Sequence, residues 1–459
     1  MMQHCNKMLH HYIQQSHSNV TIKEIIPGKL QGRIASPTSK SYAQRALAAA
    51  LLVPESAHPA GWSELRRMGL CNDTSAALDA IQRLGASVRY GDNRDTYYIE
   101  GGFLRQAPAE LHIGESGLSA RLFTPIAAQS PTPITITGHG SILRRPVAAS
   151  MVAPLRRLGA TVTDGANGCL PLTVSGPLRG GTVEVDGSLS SQFITGLLMA
   201  SPLSEAETRL LVRQPRSLPY LAMTLEVLRT FGIEVTHAPD YTEFVIPGRQ
   251  QYRPTVCSIE GDWSGASCLL VGGAIASELR GAGIIVENLN PRSLQADRAI
   301  ITALERAGAI LASSGHLWTV GRPATLRSFE FDATDCPDLF PALVALAAFC
   351  SGTTVLRGTN RLTHKESDRA ATLATEFAKL GVEIDLSTPD TMAIRGISTS
   401  DGSLTVRDPR LDSHNDHRIA MATAVAALRA DRPVTITHAE AVEKSYPHFW
   451  DDLDTLYTA

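Results

Sequence analysis

The sequence predicts an α/β protein of two similar domains, each assembled from three copies of one supersecondary unit. Three observations carry that reading. First, five glycines, Gly85, Gly159, Gly232, Gly308 and Gly381, recur at intervals of 74, 73, 76 and 73 residues. Each follows an amphipathic, helix-like stretch and precedes a short apolar strand, as at 78–84 and 86–88 or at 152–158 and 160–162. A glycine just past a helix end takes the left-handed cap conformation that a Cβ would penalise. Second, a series of far more apolar segments runs in step with the glycines, opening near Ser41, Ser119, Ser191, Ser264, Asp338 and His417. Helices that are apolar on nearly every side are buried ones. Third, one hydrophobic core rarely serves 459 residues, so the six units divide into two threes.

The units follow in order. The first opens at Ser39-Lys40-Ser41-Tyr42-Ala43-Gln44-Arg45, runs through apolar residues 46–52 and ends its amphipathic helix at Gly85. The second has its apolar body at 122–128, and the third opens at Ser188-Leu189-Ser190-Ser191-Gln192-Phe193 before a body at 194–200 and a helix at 225–231. The fourth is apolar over 268–274. In the fifth, Asp335-Cys336-Pro337-Asp338 leads into residues 342–350; a strand at 353–357 and the charged run Lys365-Glu366-Ser367-Asp368-Arg369 then open the helix before Gly381. The sixth reads Asn415-Asp416-His417-Arg418, an apolar body at 419–428, a strand at 434–437 and then Lys444-Ser445-Tyr446-Pro447. Its glycine would fall near residue 455, where the chain is ending, so the C-terminus is expected to complete this unit by pairing with the N-terminal strand. The expected division is residues 20–38 with 260–459 as domain I and 39–259 as domain II. Residues 1–19, rich in His and Gln without an apolar signal core, are expected to form a disordered extension.

Composition bounds the function. A net charge of −3 argues against nucleic acid or an anionic membrane as partner, and the longest apolar run, 342–350, is far too short to span a bilayer. Seven cysteines (5, 71, 169, 257, 268, 336 and 350) form no Cys-x-x-Cys pair. Reduced thiols in a cytoplasmic protein are expected, with no metal.

The chemistry gathers at the openings of the apolar helices. A helix N-terminus offers unpaired N–H groups and a partial positive charge, so it favours anions. Lys40 and Ser41 stand at the first opening, with Arg45 four residues on and on the same face. Ser190, Ser191 and Gln192 put two hydroxyls and an amide in one turn. Taken alone, Ser191 or Asp338 reads equally as an ordinary cap, and the run from Lys365 to Arg369 as a solvated face. Charges that enter a buried helix, as at Asp416-His417-Arg418, demand partners, and their recurrence at one topological position in five units exceeds what capping explains.

These strings, Lys40-Ser41 with Arg45, Ser190-Ser191-Gln192, Lys365-Glu366-Ser367-Asp368-Arg369, Asp416-His417-Arg418 and Lys444, resemble the 5-enolpyruvylshikimate-3-phosphate synthase family of enolpyruvyl transferases over residues 22 to 450. The resemblance implies β-α-β-α-β-β units around buried parallel helices, an inside-out α/β barrel in each domain, with the active site in the interdomain cleft. It implies transfer of the enolpyruvyl group of phosphoenolpyruvate to the 5-hydroxyl of shikimate 3-phosphate with release of phosphate, without metal or organic cofactor, by a monomer. Two phosphates of about −1.5 to −2 each, plus two carboxylates, would enter one cleft. The matched cations, Lys40, Arg45, Arg145, Lys365, Arg369, Arg418 and Lys444, answer that demand.

Carried over by position, Ser41, Arg45, Ser190, Ser191, Gln192, Ser217, Tyr220, Asp338, Arg361 and Lys365 would hold shikimate 3-phosphate. Lys40, Gly117, Arg145, Gln192, Arg369, Arg418 and Lys444 would hold phosphoenolpyruvate. Asp338 would deprotonate the 5-hydroxyl, Glu366 would protonate the methylene and Lys40 would bridge the reacting centre, with His417 either assisting or orienting its neighbours. A carboxylic acid that donates a proton at neutral pH needs a raised pKa.

The chain departs from the family at one loop. Where Gly-Asn-Ala-Gly-Thr is usual, it reads Gly114-Glu115-Ser116-Gly117-Leu118. Glu115 adds a negative charge beside the phosphoenolpyruvate site unless it turns away or pairs with Arg121 or Arg145, so altered affinity there and altered glyphosate sensitivity are expected. The sister transferase acting on UDP-N-acetylglucosamine is disfavoured, because Gly138-His139-Gly140-Ser141-Ile142-Leu143-Arg144 lacks its cysteine and Lys40-Ser41 replaces its Lys-Asn. A non-catalytic binder is disfavoured because Lys40, Asp338, Glu366 and Lys444 are all present.

Overall fold

The computed structural model describes residues 20–55, 61–93, 95–104, 107–363, 365–397 and 402–458; the expected extension, residues 1–19, lies outside them. Twelve α-helices occur among the described residues, alternating between two kinds. In chain order they are α1 (Lys40–Leu51), α2 (Asn72–Arg83), α3 (Gly117–Ala127), α4 (Val152–Arg157), α5 (Gln192–Ala200), α6 (Leu218–Thr230), α7 (Trp263–Ala276), α8 (Ile300–Ala307), α9 (Phe340–Ala347), α10 (Arg369–Lys379), α11 (His417–Ala427) and α12 (Phe449–Leu456). The odd-numbered helices are the apolar ones; every residue of α7, α9 and α11 is buried. The even-numbered ones bury one face only, as α8 does with Ile300, Ile301, Ala303, Leu304 and Ala307. The five repeat glycines follow α2, α4, α6, α8 and α10, and all have positive φ, from 79° at Gly232 to 114° at Gly85. The first such position is a left-handed turn that any side chain would strain.

Six sheets of three or four strands accompany the helices, one for each pair. In the unit around α5 and α6, Gly181–Asp186 lies parallel to Thr208–Arg213, which pairs antiparallel with Glu243–Ile246 and through it reaches Thr236–His237. The element order there is β-α-β-α-β-β, and it recurs around α3 with α4 and around α9 with α10. No glycine closes the sixth unit. Instead α12 runs into Tyr457–Thr458, which pairs antiparallel with Lys29–Leu30, and Ile22–Ile25 pairs with Val434–Thr437.

Two buried clusters form. One joins α1, α3 and α5 to the strands and amphipathic helices between residues 43 and 259; the other joins α7, α9 and α11 to residues from 263 to 456 with Ile25 and Leu30. Within the second, α7, α9 and α11 pack on one another, and α3 packs on α5 in the first. Small residues permit this closeness. A Cβ on Gly196 of α5 would strike Arg121 O of α3 and meet Pro125 Cγ at 2.9 Å. Burial of large apolar area drives both cores, at about 25 cal/mol per Å².

The chain passes between the cores twice. Gly32–Ala35 pairs parallel with Ile284–Glu287 of the second core before the chain turns into α1 of the first. Val256–Ser258 pairs parallel with Ser63–Arg66 of the first before the chain turns into α7 of the second. The two crossings lie side by side: Ser39 N donates to Glu260 O at 2.9 Å, Asp262 N donates to Pro37 O at 2.7 Å, and Thr38 bridges Gly261 antiparallel.

One expected opening differs. Asp338 does not start an α-helix; Pro337–Leu339 is a 3-10 turn and α9 begins at Phe340. The helix ends at Ala347, so Cys350, expected in its body, lies instead in the strand Cys350–Ser351. Pro341 has no N–H to reach Pro337 O, so that carbonyl accepts from Phe340 N instead and a 3-10 turn forms before the helix.

Candidate active site

The helix openings converge. Asp416 caps α11 by accepting from Arg418 N at 3.0 Å, Asp368 caps α10 by accepting from Ala371 N at 3.3 Å, and Ser39 caps α1 by accepting from Tyr42 N at 3.4 Å. These caps fix the side chains of the first turns beside one another, across both cores.

Arg369 is the hub on the side of the second core. Its guanidinium, 1% exposed, donates from Nε to Asp416 Oδ2 at 2.8 Å, from Nη1 to Asp338 Oδ1 at 2.6 Å and from Nη2 to Glu366 Oε2 at 2.7 Å. Lys365 Nζ also donates to Asp338 Oδ1 at 3.2 Å, and Arg418 Nη2 lies 3.7 Å from Asp338 Oδ2. Burial works against a charged carboxylate at Asp338, yet Lys365, Arg418 and Arg369 outweigh it and hold the group well below the usual range. Glu366 behaves likewise: burial opposes its charge, and Arg369, then Arg145, overcome that opposition. The expected raised pKa of Glu366 is therefore absent from the anion-free cleft, because cations surround it. Burial first, then Lys40 and Arg418, push His417 well below its ordinary value, so its ring is neutral; neither of its nitrogens has a hydrogen-bond partner.

The side of the first core is cationic without such compensation. Gly117 opens α3, and an added Cβ there would lie 2.7 Å from Arg145 Nη2 and 3.3 Å from Arg121 Nη1, so the glycine lets two guanidinium groups close over the helix end. Arg121 donates to Gln192 Oε1 at 3.0 Å and to Gly117 O at 3.3 Å. Burial, then the neighbouring Arg145, lower its pKa to about 9. Arg145 keeps two buried nitrogens, Nε and Nη1, with no partner. Unpaired buried charge is costly and signals a place kept for an anion. Ser190 Oγ accepts from Gln192 N at 3.2 Å, and Ser191, 3% exposed, caps nothing with its side chain. Leu118 is buried in the first core.

Other expected residues take unexpected partners. Lys40 Nζ pairs with Asp73 Oδ2 at 2.9 Å. Arg45 lies deep, donating to Ser41 O at 2.7 Å, Thr224 Oγ1 at 2.9 Å and Thr195 Oγ1 at 3.4 Å, with its guanidinium 5.9 Å from the centre of the Tyr220 ring. Burial lowers its pKa to about 10. Ser41 thus meets Arg45 through its carbonyl. Glu115 pairs with neither Arg121 nor Arg145: it accepts from Ser141 N at 2.8 Å and from Lys444 Nζ at 3.3 Å. The reason is geometric, since the left-handed turn at Gly140 (φ 61°) opens a seat for the carboxylate away from Arg145.

Four sets of contacts tie the two sides together. Besides Glu115 with Lys444, Arg361 donates to Leu189 O at 3.0 Å and to Ser217 Oγ at 3.1 Å. Ser217 N donates to Asp335 Oδ1 at 2.6 Å, and the Tyr220 hydroxyl donates to Asp297 Oδ2 at 3.1 Å. Asp73, Arg121, Asp297 and Asp335 were not among the expected site residues. Arg121 carried a signal, being four residues beyond Gly117 at a helix opening; the three aspartates carried none, because their partners lie 33, 77 and 118 residues away.

No cluster of three or more His, Cys, Asp or Glu side chains with the makings of a metal site, and no helix long and apolar enough to cross a membrane, occurs among the described residues. Convergent helix N-termini, basic side chains and paired carboxylates, contributed by two α/β cores, have the chemistry to take small polyanions. Comparison with known proteins makes this specific. The family model for EPSP synthase (3-phosphoshikimate 1-carboxyvinyltransferase) matches residues 25–453. A 3-phosphoshikimate 1-carboxyvinyltransferase of Clostridium kluyveri is 34% identical over 94% of this chain and 96% of its own length. One of Aeropyrum pernix is 39% identical over 94% of each chain. Among solved structures, EPSP synthase from Acinetobacter baumannii superposes with a TM-score of 0.77 at 27% identity, covering 96% of this chain and 98% of that one. The chain belongs to the EPSP synthase family.

Proposed function

We propose that this enzyme transfers the enolpyruvyl group of phosphoenolpyruvate to the 5-hydroxyl of shikimate 3-phosphate, a step of aromatic amino-acid biosynthesis. Family membership over nearly the whole chain supports the reaction. The observation that carries the residue assignment is the Arg369 hub, which sets two carboxylates of opposite duty, Asp338 and Glu366, on one guanidinium.

In this reading Arg145, Gly117, Arg369, Arg418, Lys40, Lys444 and Gln192 hold phosphoenolpyruvate. Arg121, beside Arg145, joins them, because a planar guanidinium pair suits a phosphate. Arg45, Ser41, Ser190, Ser191, Gln192, Ser217, Tyr220, Asp338, Arg361 and Lys365 hold shikimate 3-phosphate. Arg361 and Ser217, bonded to each other when the cleft is empty, must turn toward the sugar-like ring when it arrives.

Asp338 accepts the proton of the 5-hydroxyl as that oxygen bonds to C2 of phosphoenolpyruvate, while Glu366 gives a proton to C3. The adduct then returns a C3 proton to Glu366 and expels phosphate, which takes up the proton held by Asp338, and the double bond re-forms as an enolpyruvyl ether. Glu366 is ionised in the empty site and becomes a proton donor only when substrate anions neutralise Arg369 and Arg145. The substrate thereby arms its own acid. His417, neutral and unbonded, stands beside Glu366 as an orienting or relaying group. Residues 20–38 with 260–459 and residues 39–259 act as two inside-out barrel domains that close on the ligands, a division supported by the two cores and the paired crossings.

Phosphate release with shikimate 3-phosphate and phosphoenolpyruvate, beside UDP-N-acetylglucosamine as acceptor, tests the reading. Turnover is expected with the first acceptor alone, and Asp338→Ala or Glu366→Gln should lower kcat by about 10³-fold. Turnover with the nucleotide sugar, or variants as active as the parent, would refute it.

A further inference from the structure

Lys444 is the one cation of the phosphoenolpyruvate set whose carboxylate partner comes from the opposite side of the cleft. That partner, Glu115, is not a mobile surface group. Its carboxylate is 13% exposed, it accepts from Ser141 N at 2.8 Å, and it lies flat over Gly140, where an added Cβ would strike it. The loop beneath, Gly140–Arg144, ends at Arg145, and the residue two beyond Glu115 is Gly117. One carboxylate, two residues before the start of α3, therefore touches the Arg145 loop and Lys444, whose side chain is 9% exposed and donates also to Asn415 O at 2.7 Å.

We propose that Glu115 sets the affinity for phosphoenolpyruvate, acting as an internal counter-ion that occupies Lys444 in the empty cleft and must yield it when phosphoenolpyruvate binds. The inference rests on the assignment of Lys444 to that substrate. An anion entering between Arg145 and Lys444 meets a fixed negative charge a few ångströms away, in surroundings that screen poorly. It gains Lys444 only by breaking an existing ion pair. Arg145, whose buried nitrogens are unpaired, is the docking point that needs no such exchange. Shikimate 3-phosphate, held by Lys365, Arg361 and the α5 opening, does not draw on Lys444 and is indifferent to Glu115.

The experiment compares the full-length protein with Glu115→Gln and Glu115→Asp. The amide of the first keeps an oxygen for Ser141 N but removes the charge; the second keeps the charge but draws it back from Lys444. The KM for phosphoenolpyruvate is expected to fall by roughly three- to tenfold in Glu115→Gln and by less in Glu115→Asp, with the KM for shikimate 3-phosphate unchanged. Adding salt should narrow the gap between parent and Glu115→Gln. An unchanged or higher phosphoenolpyruvate KM in Glu115→Gln would overturn the proposal, as would weakened shikimate 3-phosphate binding in both variants, which would make Glu115 a structural strut. Absence of turnover in the parent would count against the proposed function instead. In that case the calorimetric Kd for phosphoenolpyruvate, parent against Glu115→Gln, decides the role of Glu115 by the same directions.

Discussion

The two walls of the cleft spend their charges differently. On the wall formed by α9, α10 and α11, Arg369 meets three carboxylates, and Asp338 meets three cations. On the wall formed by α3 and α5, Arg121 and Arg145 stand together over Gly117; among the described residues Arg121 bonds an amide and a carbonyl, and two buried nitrogens of Arg145 bond nothing. A saturated network is rigid and defines where protons sit; an unsaturated one attracts an anion and is relieved by it. On the proposed reading, chemistry belongs to the first wall and capture to the second.

The sharpest way to break that contrast is to delete one arginine from each wall. Arg369→Met should strand Asp416, Asp338 and Glu366 and cost about 3–5 kcal/mol of stability, read from denaturant unfolding, together with loss of turnover. Arg145→Met removes a charge that makes no close ion pair among the described residues and acts on Glu366 only at longer range, so the protein should lose far less stability than with Arg369→Met. Its KM for phosphoenolpyruvate should nevertheless rise by roughly 10- to 100-fold. Equal destabilisation by both substitutions would erase the distinction between the walls.

Proton linkage sharpens the comparison next. Asp338 and Glu366 are both depressed in the folded protein, so they contribute stability above the unfolded carboxylate range near 4, and that contribution is lost as pH falls through their lower folded values. Phosphoenolpyruvate, by neutralising Arg369 and Arg145, raises Glu366 and should bind with uptake of up to about one proton, more tightly at pH 6 than at pH 8. Calorimetry in buffers of different ionisation enthalpy measures the uptake; proton release on binding would contradict the arming of Glu366. The smallest effect is at the repeat turns, where Gly232→Ala, at φ 79°, should cost about 1–2 kcal/mol without moving either KM.

Period and punctuation made the scaffold readable. Each repeat glycine marks a left-handed cap, and each apolar opening is a buried helix or, at Asp338, a 3-10 turn leading into one, because these features are dictated within ten residues of chain. The misread opening at α9 has a local cause as well, in Pro337 and Pro341. The site was legible only where it sits on such openings. Lys365, Glu366, Arg369, His417 and Arg418 could be picked out beside their helix starts, whereas the partnership of Glu115 with Lys444 spans 329 residues and follows no period. Glu115 was flagged as an intruding charge, but its destination depended on the turn at Gly140 and on how the two cores face each other.

The double crossing beside Thr38 and Gly261 has a consequence for how the protein is made. The sheet of the first core that holds Ser63–Arg66 lacks its neighbour Val256–Ser258 until more than 250 residues have left the ribosome. Ile22–Ile25 and Gly32–Ala35, among the first described residues to emerge, wait still longer for Val434–Thr437 and Ile284–Glu287. The first core is complete within residues 43–259, whereas the second draws strands from both ends of the chain, so the first can finish while the rest is still being made. A chain of residues 39–259 should therefore yield a stable half, whereas residues 260–459 without residues 20–38 should not.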